Sequence, residues 1–205
     1  MARFWLTGIV LLLALGLMAC GGGGPHGGVA TPGAPETTAP TGEATPGEGF
    51  TITDNLFESE EKGYNVRIPE GWSPRPNFFP GPGFSVDAFF APDLVEGVQP
   101  NISIACDQIP EGTTLTLKEY SDAKLQAARG VAQVEPDVSS GEVGGQEAVV
   151  ARYKREKLEP AVEKTEFLFV TAKCGWDITL TVPLGRGSDY QNLFEEFLNS
   201  FRLLP

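Results

Sequence analysis

The chain has 205 residues, and its 27 Asp and Glu against 15 Lys and Arg give it a formal net charge of −12 at pH 7. A negative excess of this size repels the phosphates of nucleic acids and the headgroups of anionic lipids. Nucleic acid is therefore not an expected partner. An acidic surface of this kind is most often simply a soluble one.

The first twenty residues have the pattern of a bacterial lipoprotein leader. Arg3 precedes an apolar run, residues 4–19, that falls short of the roughly 20 residues a spanning helix needs. The run ends in Ala19 directly before Cys20, and Leu17 stands three residues before that cysteine. We expect residues 1–19 to be a signal peptide, with diacylglycerol joined to the Cys20 sulfur and a fatty acid such as palmitate on the new amino end. The alternative is an ordinary secretory signal that happens to contain a cysteine.

The mature chain divides into a tether and a domain. After Cys20, the stretch up to residue 49 contains ten Gly, five Pro and five Thr and has no aromatic side chain. Such a composition cannot bury enough apolar surface to offset the entropy of ordering, so residues 20–49 are predicted to be disordered. Residues 50–205 are long enough for one globular domain with its own core. The protein is thus expected to face the extracytoplasmic side of a cell membrane, held to the bilayer by the acylated Cys20.

Two further cysteines, Cys106 and Cys174, lie in the domain. Disulfides persist in exported proteins and only one pairing is available here, so a Cys106–Cys174 bridge is predicted. It would close a loop of about 69 residues and contribute roughly 4 kcal/mol in the chain-entropy model. The alternative is two separate buried thiols that behave as small apolar side chains.

Strand patterns dominate the domain. Alternating or continuous apolar residues between turn residues predict six strands. The predicted strands are 64–68, 84–90, 101–106, 147–154, 164–173 and 176–183. The last two are expected to form an antiparallel hairpin turning at Gly175, and the first of them is apolar on both faces, as in a central strand. Residues 141–145 look like a turn.

Two helices are also predicted. Thr116 and Glu119 form a capping-box pattern ahead of an apolar stripe that ends at Gly130. Ser188 with Gln191 opens the second helix, whose stripe runs to Phe201 and is expected to dock on the sheet rather than in a partner's groove. The order of elements indicates an α+β protein with an antiparallel sheet and helices packed against it.

These elements resemble the PsbP-like family. The resemblance rests on the run Gly-Tyr-Asn-Val-Arg-Ile-Pro-Glu-Gly-Trp at 63–72, in which a strand ends in a Pro-x-x-Trp turn, and on the segments 101–104, 116–120, 144–148 and 194–201. It implies an α/β/α sandwich with a central antiparallel sheet. Members include the photosystem II protein PsbP, a eukaryotic Ran-binding factor and envelope lipoproteins of the DcrB and LpqN type. They share a scaffold and no common reaction, so the resemblance predicts the fold and not the function.

Catalytic residue patterns are absent from the sequence of the domain. The single histidine, His26, lies in the tether, which excludes Ser–His and Cys–His pairs and a histidine zinc site from residues 50–205. We therefore expect no enzyme, no cofactor and no metal. A hydrolase that uses a pair of carboxylates is a third interpretation, but no particular pair stands out.

Residues 72–84 form the most unusual segment, with four aromatic residues, four prolines and one cation and no strand or helix period. Preordered aromatic residues are typical of recognition surfaces. We interpret the segment as a binding loop whose contacts are Trp72, Arg75, Phe78 and Phe79. The alternative is that Trp72 and Phe84 cap the sheet edge and the rest is a rigid cover. The expected function is a non-catalytic binding domain for an envelope protein or a small ligand, or else an accessory or assembly subunit of a membrane complex.

Overall fold

The structure is a computed structural model that describes residues 49–81, 84–131 and 134–205. The predicted leader and the tether up to residue 48 lie outside these residues. Within them the strands are Phe50–Thr53 (β1), Leu56–Ser59 (β2), Tyr64–Arg67 (β3), Ser73–Gly81 (β4), Phe84–Phe90 (β5), Asn101–Gln108 (β6), Asp137–Val143 (β7), Gln146–Arg155 (β8), Val162–Val170 (β9), Cys174–Pro183 (β10) and Arg202–Leu203 (β11). The helices are Leu117–Val131 (α1) and Gly187–Ser200 (α2).

Seven strands form one antiparallel sheet in the order β4-β5-β6-β10-β9-β8-β7. The predicted β9–β10 hairpin is confirmed, and β9 lies inside the sheet as its apolar residues indicated. The turn itself was misplaced, because Gly175 pairs with Val170 inside β10 instead of lying in the turn. Residues 141–143, interpreted as part of a turn, belong to the edge strand β7.

One face of this sheet carries the main core. The alternation in β10 places Trp176, Ile178 and Leu180 on that face, where they join Phe197 and Phe201 from the α2 end of the chain. Burying aromatic side chains of this size is the largest apolar contribution to the fold. The predicted docking of the second helix on the sheet is confirmed.

A second, four-stranded antiparallel sheet in the order β1-β2-β3-β11 lies beside α2 and shares the same core. Strands β1 and β2 were not predicted. They are joined by Asp54 and Asn55, whose φ values of 50° and 63° are those of a two-residue hairpin turn, which Asp and Asn tolerate. This hairpin could have been predicted from the Asp-Asn pair in the sequence.

The two helices begin in different ways. At α1 the predicted capping box is confirmed, because the Thr116 N–H donates to Glu119 at 3.0 Å and the Glu119 N–H donates to the Thr116 hydroxyl at 3.2 Å. At α2 the predicted role of Ser188 is wrong, since the helix begins at Gly187 and no side chain of the preceding residue caps it. Instead Glu163 of β9 accepts the N–H of Gly187.

The predicted Cys106–Cys174 disulfide is present, with a Cα–Cα distance of 5.4 Å between neighbouring strands β6 and β10. Cys106 shares the buried face with Ile102 and Ile104, as the alternation predicted.

The architecture is α+β, with α1 on one face of the large sheet and α2 with the small sheet on the other. The predicted sandwich around a central antiparallel sheet is therefore confirmed, with the small sheet as an addition. In residues 49–81, 84–131 and 134–205, none of the helices has the length and apolar character that a bilayer crossing requires.

Candidate functional site

The segment predicted to be a binding loop is a strand. Residues 73–81 form β4, which pairs with β5 at one edge of the large sheet, so the loop assignment is wrong. Proline lacks the N–H that a ladder needs, and Pro74, Pro76 and Pro80 are compatible with β4 because an edge strand has one unpaired side. Because prolines are rare in strands, their presence led to the prediction of a loop for this segment.

A bulge interrupts β4 between Arg75 and Phe79. Asn77 in the bulge has a φ of 49°, and two polar contacts hold it in place. Its N–H donates to Asp87 at 2.9 Å, and its side-chain oxygen accepts a hydrogen bond from the Lys62 ammonium at 2.9 Å. The bulge is therefore fixed by buried polar groups.

The bulge brings three of the predicted contact residues together with a fourth that was not predicted. The Arg75 guanidinium carbon lies 4.8 Å from the ring centroid of Phe90 and 5.8 Å from that of Phe78. Phe78 in turn lies 4.4 Å from Phe79 and 5.2 Å from Phe90, measured between ring centroids. We call these four residues, Arg75, Phe78, Phe79 and Phe90, the β4 aromatic cluster. Phe78 is 36% exposed and Arg75 is exposed, so the cluster is open to a partner.

Trp72 does not belong to this surface. It is buried in the main core on the other side of the sheet, where its ring lies 6.4 Å from that of Tyr190 of α2. Trp72 is thus a core residue and is not exposed to contact a ligand, contrary to the prediction from the sequence.

A cleft of about 750 Å³ lies between α2 and the β8–β9 part of the sheet. We call it the β8–α2 cleft. Helix α2 packs mainly against β3 and β10, and the cleft opens where β8 and β9 extend past the helix. It was not predicted, because its lining comes from segments far apart in sequence.

The floor of this cleft is apolar and its rim is polar. Phe167 and Phe194 meet there edge to face, with ring centroids 5.8 Å apart, and the buried Leu180 and Leu198 complete the floor. The polar residues at the rim include Arg152, Lys154, Gln191 and Glu195. An apolar floor with a few polar groups is the usual constitution of a small-molecule site.

The cationic side of the rim is available for a ligand. Val150, Arg152 and Lys154 lie on one face of β8, and Val150 pairs with Phe167 across the ladder. The two cations are therefore on the same face of the sheet as Phe167. Arg152 donates a hydrogen bond to the Ser139 hydroxyl at 3.1 Å. Within the described part of the chain, neither Arg152 nor Lys154 makes an ion pair with a carboxylate.

One acidic residue of the cleft is already engaged. Glu163 accepts the N–H groups of Gly185, at 3.0 Å, and of Gly187 at the start of α2. A carboxylate at a helix N-terminus satisfies otherwise unpaired donors and interacts favourably with the helix dipole. Glu163 therefore has a structural role, as the tertiary cap of α2.

A network of buried charged and hydroxyl groups lies on the face of the sheet below α1. Lys124 of α1 is 4% exposed, and its ammonium lies 3.0 Å from Asp107 and 3.3 Å from Asp177. The Tyr120 hydroxyl donates to Asp107 at 2.8 Å, and the Thr179 hydroxyl donates to Asp177 at 2.6 Å. Nearby carboxylates raise the pKa of Lys124 although burial opposes this, so the lysine stays charged.

Glu166, on the same buried face, is held differently. Burial and the Asp177 charge raise the pKa of Glu166 to about 7, while the Tyr153 hydroxyl donates a short hydrogen bond to it. Burial and the charge of Glu166 raise the pKa of Tyr153. Burial lowers the pKa of Lys164. A raised carboxyl pKa is a property of many acid–base catalysts, but it also arises in structural networks. Here the groups satisfy one another below a helix, which indicates a structural role.

No group of three or more His, Cys, Asp or Glu residues that could hold a metal ion occurs in the described ranges. The side chains near the β8–α2 cleft can thus bind by apolar contact, hydrogen bonds and charge. They include no nucleophile paired with a base in that part of the chain.

Comparisons with known proteins identify the fold alone. No protein family model matches the sequence, and no curated protein matches it. Among solved structures, the cyanobacterial PsbP protein CyanoP of Synechocystis sp. PCC 6803 is similar to 80% of this chain and 99% of its own, with a TM-score of 0.50 and 16% identity. LpqN of Mycobacterium tuberculosis, which is involved in cell envelope biogenesis, matches 69% of this chain and 83% of its own with a TM-score of 0.48 and 12% identity.

A protein of Bacteroides thetaiotaomicron matches 70% of this chain with a TM-score of 0.48 and 14% identity. This chain covers only 46% of that longer one. At 16% identity, the similarity to CyanoP shows that the strands and helices are arranged alike, and it does not identify a functional site. The fold of this chain is PsbP-like.

Proposed function

We propose that this protein is a lipid-anchored, extracytoplasmic binding protein without a reaction of its own, and that its domain takes a small amphipathic ligand in the β8–α2 cleft. The cleft is the observation that supports this function best. Its volume of about 750 Å³ lies within the range of roughly 300–1,000 Å³ that is typical of small-molecule sites.

The lining of the cleft favours a ligand with an apolar body and an anionic or polar head. Phe167 and Phe194 offer the body aromatic surface that is already fixed by their mutual contact. Arg152 and Lys154, on the same face of β8 as this floor, offer the head two cations. Because the protein as a whole carries a net charge of −12, two cations without carboxylate partners in the described residues make this rim locally attractive to an anion.

The arrangement of the acidic residues supports binding over catalysis. Asp107, Glu166 and Asp177 lie below α1, where Lys124 and two tyrosines form ion pairs and hydrogen bonds with them. Of the carboxylates that line the cleft, Glu163 is engaged by the backbone at the start of α2, Glu195 by the Gln191 amide and Glu135 by Arg129. A general acid or base must lie within hydrogen-bond distance of its substrate, and these carboxylates already bind other groups of the protein.

The anchor is supported by the leader pattern around Cys20 alone. Mass spectrometry of the protein purified from the membranes of its own cells tests it directly: we expect Cys20 to be the first residue and to carry diacylglycerol. An unmodified Cys20, or a retained leader, would contradict this part of the proposal.

Ligand binding is tested with an anionic apolar probe, 1-anilinonaphthalene-8-sulfonate, titrated into the full mature protein. We expect saturable binding of one probe per chain. Arg152→Glu should weaken it about tenfold, the equivalent of about 1.4 kcal/mol. Arg67→Glu, the same charge change on an exposed residue of β3, is the matched control and should leave the affinity unchanged. Unsaturable binding, or equal effects of the two variants, would refute the cleft as the ligand site.

A further inference from the structure

We propose that the β4 aromatic cluster docks the domain onto the bilayer that holds its anchor, with Arg75 on lipid phosphate and the phenylalanine rings at the level of the headgroups. The inference rests on the lipid anchor of the proposed function and adds to it a fixed orientation of the domain. It uses a different surface from the β8–α2 cleft.

The chemistry of the cluster suits the membrane–water interface. The Arg75 guanidinium lies over the rings of Phe90 and Phe78, and in the described part of the chain no carboxylate pairs with it. An arginine stacked in this way keeps its N–H edge free for two hydrogen bonds to a phosphate. Aromatic rings and arginine are the side chains that lie at this depth in membrane proteins.

The distribution of charge makes this surface unusual in an acidic protein. Among the described residues of the β4–β5 hairpin, 73–81 and 84–90, the only acidic residue is Asp87. Its side chain is 1% exposed and is neutralised by Lys62 at 2.6 Å. The exposed surface of the hairpin therefore carries the positive charge of Arg75 and no negative charge to repel phosphate.

The chain leads from the anchor to this end of the fold. Gly49, the last residue of the predicted tether, accepts backbone hydrogen bonds from Glu60 at 3.0 Å and Glu61 at 3.5 Å. The next residue, Lys62, bonds to Asn77, which directly precedes Phe78. The point where the tether enters the domain is thus joined to the cluster by a short series of contacts.

The length of the tether makes a weak attraction sufficient. The 29 residues after Cys20, which the sequence predicts to be a flexible chain, would span roughly 30 Å on average and keep an anchored domain close to the bilayer. Docking is then an intramolecular step with a high effective concentration. The buried Lys62–Asp87–Asn77 contacts hold the bulge rigid, so docking need not order the cluster.

The test uses the full lipidated chain, reconstituted in phosphatidylcholine vesicles with and without bromine on the acyl chains. Phe78→Trp introduces a fluorophore into the cluster, and the buried Trp72 and Trp176 of the parent protein supply the background to subtract. We expect the added emission to shift to the blue and to be quenched by the brominated lipid. Val138→Trp is the matched control, because Val138 is 44% exposed on β7, at the opposite edge of the large sheet from β4. Its emission should be quenched several-fold less.

Charge variants complete the test. In the Phe78→Trp background, Arg75→Glu should abolish most of the quenching, whereas Arg67→Glu should leave it unchanged. Equal quenching at positions 78 and 138 in protein with a confirmed Cys20 lipid would overturn the docking and leave the anchor intact. Should Phe78→Trp fail to fold, a nitroxide on Arg75→Cys reports the same depth, and exposure of this label to a water-soluble relaxation agent would also overturn the proposal.

Discussion

Lys62 and Asp87 form an ion pair of 2.6 Å in which the two side chains are only 4% and 1% exposed. The same carboxylate accepts hydrogen bonds from the Tyr64 hydroxyl at 2.5 Å and from the Asn77 N–H at 2.9 Å. One buried charge pair therefore connects the turn before β3 with β5 and with the bulge of β4. The shape of the β4 aromatic cluster depends on it.

Asp87→Asn should destabilise the domain strongly. The substitution leaves the Lys62 ammonium buried without a counter-charge, and breaking a buried pair in this way typically costs about 3–5 kcal/mol. Urea unfolding followed by tryptophan fluorescence measures the loss. Lys62→Met with Asp87→Leu removes both charges and should cost less than Asp87→Asn alone. A loss below about 1 kcal/mol for Asp87→Asn, the level of an exposed pair, would contradict the structure.

The Cys106–Cys174 bridge should be a main source of stability. It joins positions separated by 68 residues, and a closure of this size contributes roughly 4 kcal/mol in the chain-entropy model. Replacing both cysteines by alanine should lower the free energy of unfolding by about 2–4 kcal/mol. The free energy of unfolding of the variant is compared with that of the oxidised parent protein. Reducing the disulfide of the parent should lower its free energy of unfolding by a similar amount. Unchanged stability after reduction would refute the bridge.

The sequence predicted the elements that build the main core. Strands β3, β6 and β10 alternate apolar and polar residues, and this period alone placed Ile104 and Cys106 on one buried face. The capping box of α1 was predictable because it is a local interaction of residues three apart. Patterns of this kind depend on neighbours in sequence, and the structure confirms them.

Features that depend on distant residues could not be predicted in this way. The bulge that gathers Arg75, Phe78 and Phe90 is held by Lys62, from the turn before β3, and by Asp87 of β5. The β8–α2 cleft combines residues from β8, β9, β10 and α2 and has no local motif. The cap of α2 was assigned to Ser188 by proximity, although it is supplied from β9.

Gly175→Ala should be destabilising through a close approach of two elements. A Cβ at this position would lie 2.5 Å from Cε2 of the Tyr120 ring, and the hydrogen bond from Tyr120 to Asp107 restrains that ring. Overpacking of this kind typically costs about 1–3 kcal/mol. Gly130→Ala in α1 is the matched control, because a Cβ there meets nothing within 4 Å. It should stabilise the protein by about 0.5–1 kcal/mol, and thermal unfolding of both variants separates the two effects.

Glu166 should make stability depend on pH in a defined window. Its pKa rises from 4.5 to about 7 in the folded protein, so between these values the folded state holds a proton that the unfolded state has released. Stability should therefore fall as the pH rises from about 4.5 to 7 and stay level above it, with a total change of order 1–3 kcal/mol. The charged and titratable groups that act on this carboxyl are Asp177, Lys164, Tyr153 and Lys124.

The variant Glu166→Gln isolates this contribution from the other carboxyl groups. Glutamine keeps an oxygen to accept the Tyr153 hydroxyl and has no charge to desolvate, so the variant should gain stability relative to the parent as the pH rises from 5 to 8. Urea unfolding across this range gives the difference curve. Glu196→Gln, an exposed carboxyl on α2, is the control and should give a flat difference. A flat curve for Glu166→Gln as well would show that Glu166 ionises at its ordinary pKa and that the face below α1 is open to water.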